Sequence, residues 1–223
     1  KFVFYGLILT SLLFLNIFLV YPVNAIELKG DFRIREENKY RNIDDRRARI
    51  RFRLKGIKDL SDKTTLKFGL ATGGLNQRST NQTLGGGFQT PDIRLDYVFL
   101  NYKLTKQLSF LAGKMKNPLY RPSDLLWDSD INPNGVSFQY KKAHYNITSA
   151  LLILEENVNS TNKDPIMAVI QPQLKWNLTP AIQIKNAIGL YLTQHVKGVS
   201  LNHTAETNTG ATTALPNEFA PIV

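Results

Sequence analysis

The sequence predicts an all-β protein: an antiparallel, up-and-down transmembrane β-barrel, preceded by a cleavable signal peptide, of which this chain carries about nine strands. Three observations predict it. A stretch at 46–55 alternates cations with apolar side chains. The chain beyond residue 25 divides into strand-like segments joined by connections that are alternately long and short. The first residues read as an export signal.

The stretch at 46–55 is the most informative. From Arg47 onward it has the period of two that belongs to a strand. Arg47, Arg49, Arg51, Arg53 and Lys55 share one face; Ala48, Ile50, Phe52 and Leu54 share the other. A helix would scatter the cations around its circumference. Neighbouring cations on one face of a strand lie about 7 Å apart, which costs roughly 0.6 kcal/mol per pair in water and several-fold more in a dry interior. The cationic face therefore needs water or acidic partners, while the other face needs hydrocarbon. A soluble sandwich with its apolar face inward meets that demand. So does a barrel with lipid outside and a wet lumen. The strand by itself does not choose.

Residues 2–20 are almost wholly apolar and uncharged, with Lys1 ahead of them. Pro22 then breaks the run, and Val23 and Ala25 are small residues where a signal peptidase reads. This predicts a signal peptide at 1–25, with 26–223 as the N-terminal part of a barrel whose C-terminal strands are missing. An uncleaved anchor is the other reading. There is no cysteine, which excludes disulfides, thiolate metal sites and a cysteine-linked lipid. The 28 Lys and Arg exceed the 18 Asp and Glu, for a formal charge of +10. Such a balance suits nucleic acid, an anionic membrane surface or an anion pathway, and export argues against nucleic acid. The Thr-, Asn- and Ala-rich stretch at 201–223 shows no strand pattern, and the chain reads as a fragment.

In order, the first strand is expected at 28–36, with Phe32 and Ile34 opposed to Asp31, Arg33 and Arg35. A polar loop at 37–45 leads to the arginine strand, and a link at 57–63 leads to a third strand. There Leu66, Phe68 and Leu70 oppose Thr65, Lys67 and Gly69. A long loop at 73–91 follows. The fourth strand, 92–102, sets Ile93, Leu95, Tyr97 and Phe99 against Arg94 and Asp96. Its second half is apolar on both faces, which predicts contact with an inserted loop or a neighbouring subunit. Further strands are expected at 108–115, around 136–140, and at 145–154, 166–176 and 182–193. Pro172 removes a ladder donor, so a bulge or a split is expected there. The loops at 73–91, 116–134 and 155–164 are long and the links between them short, the asymmetry of an outer-membrane barrel. Segments of about 9–12 residues suit a tilted bilayer crossing. Tyr102, Tyr140, Tyr145 and Trp176 near strand ends fit an interfacial girdle. With the export signal, these features favour the barrel over the sandwich.

Leu70-Ala71-Thr72-Gly73-Gly74, Arg78-Ser79-Thr80-Asn81-Gln82-Thr83-Leu84-Gly85, Ala112-Gly113-Lys114-Met115-Lys116-Asn117-Pro118 and Leu125-Leu126-Trp127-Asp128-Ser129-Asp130 resemble the putative-porin family of Gram-negative bacteria. Gly30-Asp31-Phe32-Arg33-Ile34-Arg35 and the arginine strand resemble that family's first hairpin. The resemblance implies an outer-membrane barrel of about sixteen strands, a homotrimer embedded among lipid and lipopolysaccharide, that passes small hydrophilic solutes. It carries over no catalytic residue and no cofactor.

Among candidate residues, Arg33, Arg35, Arg47, Arg49, Arg51 and Arg53 should lie side by side on adjacent strands. In a pore they would line a positive wall that concentrates anionic solutes, with Lys67, Arg94 and Asp96 also facing the lumen. The plainer reading is a solvated face whose arginines pair with Asp31, Glu36, Asp96 and other carboxylates. Trp127, Asp128 and Asp130 lie in a long loop that could fold inward and narrow the lumen. Asp128 and Asp130, with Asp124 before them, offer carboxylate oxygens like the start of a calcium loop, but no glutamate stands where such a loop needs one. His144, His195 and His203 are far apart, so neither a metal site nor a catalytic triad is expected. Gly85-Gly86-Gly87 lacks the lysine of a phosphate loop. Two functions remain from these readings: a passive outer-membrane diffusion pore, and a secreted or periplasmic β-sandwich that binds an anionic ligand. An enzyme is disfavoured because no nucleophile–base pair stands out.

Overall fold

The computed structural model describes residues 25–40, 44–74, 76–156, 163–196 and 220–222. All but the last residue of the expected signal peptide lies outside them. The described residues form one antiparallel sheet of twelve strands and no helix. The strands are β1 (Glu27–Tyr40), β2 (Asp44–Asp59), β3 (Thr64–Thr72), β4 (Gln82–Thr83), β5 (Ile93–Lys103) and β6 (Leu108–Lys114). They continue with β7 (Asn134–Lys141), β8 (Tyr145–Ile153), β9 (Ile166–Thr179), β10 (Ile182–Ala187), β11 (Leu190–Gln194) and β12 (Ala220–Ile222). The order is β1-β2-β3-β5-β6-β7-β8-β9-β11-β12, with β4 beside β2 and β10 beside β9. Each long strand thus lies next to its predecessor, an up-and-down meander. The count exceeds the expected nine through three additions: the short β4, the division of one expected strand into β10 and β11, and β12 in the stretch at 201–223 that showed no strand pattern.

The first hairpin is longer than its sequence suggests. The stretch at 37–45, expected to be a loop, is mostly ladder, with Glu37 opposite Arg47 and Asn38 opposite Arg46. Opposite charges facing across the ladder favour its extension. β2 also runs on to Asp59, leaving a tight turn in which the Leu60 amide donates to the Thr64 carbonyl at 2.8 Å.

The fourth expected strand, β5, departs from its expected facing in its second half. Its ladder with β3 shifts register between Gly69, opposite Tyr97, and Leu70, opposite Leu95. Asp96 is the extra residue of this bulge. The bulge rotates the strand, so Tyr97 and Phe99 leave the face of Ile93 and Leu95 and join that of Arg94 and Asp96. Gly69 makes room for this: the Tyr97 ring lies where a Cβ on Gly69 would stand. The rotation gives both apolar rows of β5 a place: Tyr97 and Phe99 pack with Leu111 and Met115 on the polar side, while Leu100 and Tyr102 join the exposed apolar face.

Pro172 does not split its own strand. β9 passes through it unbroken, and the interruption falls on the neighbour, between β10, which ends opposite Gln173, and β11, which starts opposite Ile170. The Ile188 amide donates to the Pro172 carbonyl at 3.2 Å, so the missing proline donor faces that same gap. The expected strand at 182–193 is therefore two strands.

One face of the sheet is apolar and uncovered. Phe32 and Ile34 are 63% and 66% exposed, Leu95 51%, and the same face continues through Leu100, Phe138, Leu151, Ile170, Leu174, Trp176 and Leu192. Among the described residues no second sheet covers it. The opposite face carries the charges and receives two long connections, 73–91 and 115–133. The buried apolar clusters lie on this polar side. One holds Leu119, Ala150, Leu152, Met167 and Val169, with Trp127, Leu154 and Tyr191 against it. The other holds Tyr97, Phe99, Leu111 and Met115.

Candidate functional site

Register builds the arginine wall. On β1 and β2, Asp31 faces Arg53, Arg33 faces Arg51, Arg35 faces Arg49 and Glu37 faces Arg47. A carboxylate thus stands at each end of an arginine block. Asp31 Oδ1 accepts from Arg51 Nη2 at 2.9 Å, and its Oδ2 from Arg53 Nε at 2.8 Å. Glu37 Oε1 accepts from Arg47 at 3.2 Å, while its Oε2 takes both Arg35 and Arg49 at 3.0 Å. Arg33 donates to Asn81 Oδ1 at 2.6 Å. Asp31 pairs as expected; Glu36 does not. It lies opposite Ala48 on the apolar side, and Glu37 has its role, because period two puts residue 37 on the face of residues 31, 33 and 35.

The loop at 73–91 folds down over this wall. β4 pairs with the upper part of β2, Thr83 opposite Arg49. Arg49 Nη2 donates to the Asn81 carbonyl at 3.1 Å. From the other flank Arg94 donates to the carbonyls of Gly74, Asn76 and Ser79, the last two at 2.8 and 3.1 Å. Arg94 is therefore a structural brace for the loop. At the loop's start Gly73 has φ +112°, a conformation that side chains disfavour.

The second loop, 115–133, lies across the polar face of β5 to β9. Leu119 is inserted into the apolar cluster of β8 and β9. Gln171 on β9 clasps the Tyr120 backbone, accepting from its amide at 2.6 Å and donating to its carbonyl at 3.1 Å. Gln139 on β7 donates to the Pro118 carbonyl at 3.2 Å. Asp96, 3% exposed, takes Lys116 Nζ at 3.2 Å, with Arg94 at 3.7 Å. Burial pushes the Lys116 ammonium below the usual lysine range, and Asp96 only partly offsets it.

The three candidates in this loop have different surroundings. Trp127 packs against the Leu119 cluster. Asp128 holds its own turn, its Oδ1 accepting from the Asp130 amide at 2.8 Å. Asp130 joins the two loops: its Oδ2 accepts from the Thr80 amide and hydroxyl at 3.0 and 3.1 Å, and its Oδ1 is 3.9 Å from Arg53. Asp124 instead pairs with Arg121 at 3.0 Å. The carboxylates of residues 124, 128 and 130 thus have separate partners. Lys67 lies on the polar face, opposite Ile57 and Phe99.

Two openings remain beside the loops. A cavity of about 520 Å³ is bordered by Asp92, Arg94, Asp96, Lys114, Asp130 and Asn132. Another of about 800 Å³ lies among Tyr120, Trp127, Met167, Lys185, Tyr191 and Thr193.

Sequence reasoning did not single out Glu37, Thr80, Asn81 or Gln171. For Glu37 the signal was available, in the phase of the arginine alternation. Thr80, Asn81 and Gln171 have no such periodic signature, because their partners lie 32–51 residues away along the chain. None of the curated proteins compared matches the chain. The family described as putative porin matches residues 39–221, from the end of β1 through β12. With an uncovered apolar face, a charged face opposite and loops folded onto the charged side, this chain belongs to the putative porin family.

Proposed function

We propose that this sheet closes into an outer-membrane barrel of about sixteen strands and conducts small hydrophilic solutes by passive diffusion. The single observation that carries the reading is the opposition of the two faces. The apolar side is exposed over its breadth, while the polar side holds six arginines, their carboxylates and both folded loops. In lipid a spanning sheet needs an apolar exterior and every strand paired, which favours closure. Export through a signal peptide at 1–25 delivers such a protein to the outer membrane of a Gram-negative bacterium, where lipid and lipopolysaccharide contact the apolar face and homotrimers form.

In this reading Arg33, Arg35, Arg47, Arg49, Arg51, Arg53, Lys67, Arg94 and Asp96 border the lumen. The loop holding Trp127, Asp128 and Asp130 narrows it. Selection is by width and wall charge, and solute passage involves no covalent step. Six arginines against Asp31, Glu37 and Asp130 leave the wall positive, which favours anions. Reconstitution into planar bilayers tests this directly. The expected result is stepwise conductance with a reversal potential on the chloride side in a potassium chloride gradient. A protein released by osmotic shock, without detergent and without conductance, overturns it.

A further inference from the structure

The polar face carries a second set of cations, quite unlike the arginines. Lys175 on β9 and Lys185 on β10 stand directly opposite each other. Lys141, at the end of β7, stands two strands from Lys175, and Lys67 lies on β3 on the same face. In register, Lys141 faces Asn146, and Asn146 faces Gln173, so the immediate neighbours are neutral amides. Among the described residues none of these four lysines has a carboxylate oxygen within 4.0 Å. The arginines, by contrast, share Asp31, Glu37 and Asp130.

Like charges placed directly across a ladder are destabilising. An unpaired cluster of this kind needs countercharge from something that is not a neighbouring side chain. Opposed side chains have Cβ atoms about 4.5–5.5 Å apart, so two ammonium groups can each reach an oxygen of one small anion. Lysine suits such a site because its ammonium is a compact point charge on a flexible stem, with three rotatable donors. Such a group can take an anion and release it, as conduction requires.

We propose that Lys141, Lys175 and Lys185 form a docking site for small, multiply charged anions, and that this cluster, more than the arginine row, sets the preference for anions. The selectivity half of the proposal rests on the pore reading above; the binding half does not. The arginines are already committed to carboxylates and to the loop at 73–91, so they chiefly hold the wall and the loop in place.

Sulfate is a suitable probe. In detergent solution the intact protein is treated with an amine-acylating reagent, and labelling is read residue by residue. Sulfate should protect Lys141, Lys175 and Lys185 selectively over Lys29 on β1 and Lys63 in the turn after β2. In planar bilayers, sulfate should reduce chloride conductance. Lys175→Gln with Lys185→Gln should lower the chloride-to-potassium permeability ratio several-fold and remove the sulfate effect, while Lys175→Arg with Lys185→Arg keeps both. Heat-modifiable migration on gels verifies that each variant folds. Equal labelling of all lysines with and without sulfate overturns the site. A folded, conducting glutamine variant with unchanged selectivity overturns its role in selection. Protection without any conductance leaves the site standing and overturns the pore.

Discussion

Asp130 does the most with one side chain. It receives the Thr80 amide and hydroxyl and lies beside Arg53, so one carboxylate ties both loops to the wall. Thr80 is fully buried, and leaving its amide without an acceptor costs about 1–3 kcal/mol. Asp130→Ala should therefore speed hydrogen exchange at the Thr80 amide markedly, while exchange in β8 and β9 stays unchanged. Glu37 makes a different point, because it serves three arginines at once. Glu37→Gln removes a negative charge from among partly exposed cations, so its effect on stability should be small and screened by salt. In the proposed pore it should shift the reversal potential further toward chloride. Gly69 is tested by size: Gly69→Val would displace the Tyr97 ring and should weaken packing between β3 and β5, read as a lower melting temperature.

At the scale of the element, the loop at 115–133 is held by an apolar plug and backbone clasps. Leu119 is 5% exposed within the cluster of β8 and β9, and Leu119→Ala in such a setting costs about 2–5 kcal/mol. That energy falls on docking of the loop, since no ladder bond is lost. In the proposed pore, the expected outcome is a protein that still migrates as folded but shows larger, noisier conductance and faster exchange at the Tyr120 amide. β5 and β9 show how single residues shape strands. The extra residue Asp96 turns half of β5 over. Pro172 leaves its own strand whole and interrupts the strand beside it, because its missing donor points across the ladder.

For the whole molecule, the uncovered apolar face decides behaviour in solution. A sheet that exposes Phe32, Ile34, Leu95, Leu151, Ile170 and Leu174 together presents far more contiguous apolar surface than a soluble monomer tolerates. The protein should require detergent for extraction and show heat-modifiable gel migration. Leu95→Arg puts a charge on the exposed apolar face, which the proposed barrel turns to lipid, at a cost there of up to about 2–4 kcal/mol, depending on depth. It should lower the fraction of folded protein in lipid vesicles, whereas Arg47→Gln, on the other face, should leave that fraction nearly unchanged.

The sequence by itself determined the strand pattern, the separation of charged from apolar faces on β1 to β3, the up-and-down order and the family. The strands and their faces follow from short-range periodicity, which a chain displays residue by residue; the order follows from the connection lengths, and the family from short strings such as Leu125-Leu126-Trp127-Asp128-Ser129-Asp130. Tertiary structure alone decided where the charges end up. The register of β1 against β2 made Glu37 a partner of Arg47, and the bulge at Asp96 moved Tyr97 and Phe99 to the other side. The inward loop gave Leu111, Leu152 and Met167 something apolar to bury against on a face that alternation marks as polar. The physical reason is the reach of the contacts. Alternation is set by neighbours two residues apart, whereas Asp130 meets Thr80 and Gln171 meets Tyr120 only after about fifty intervening residues have folded back across the sheet.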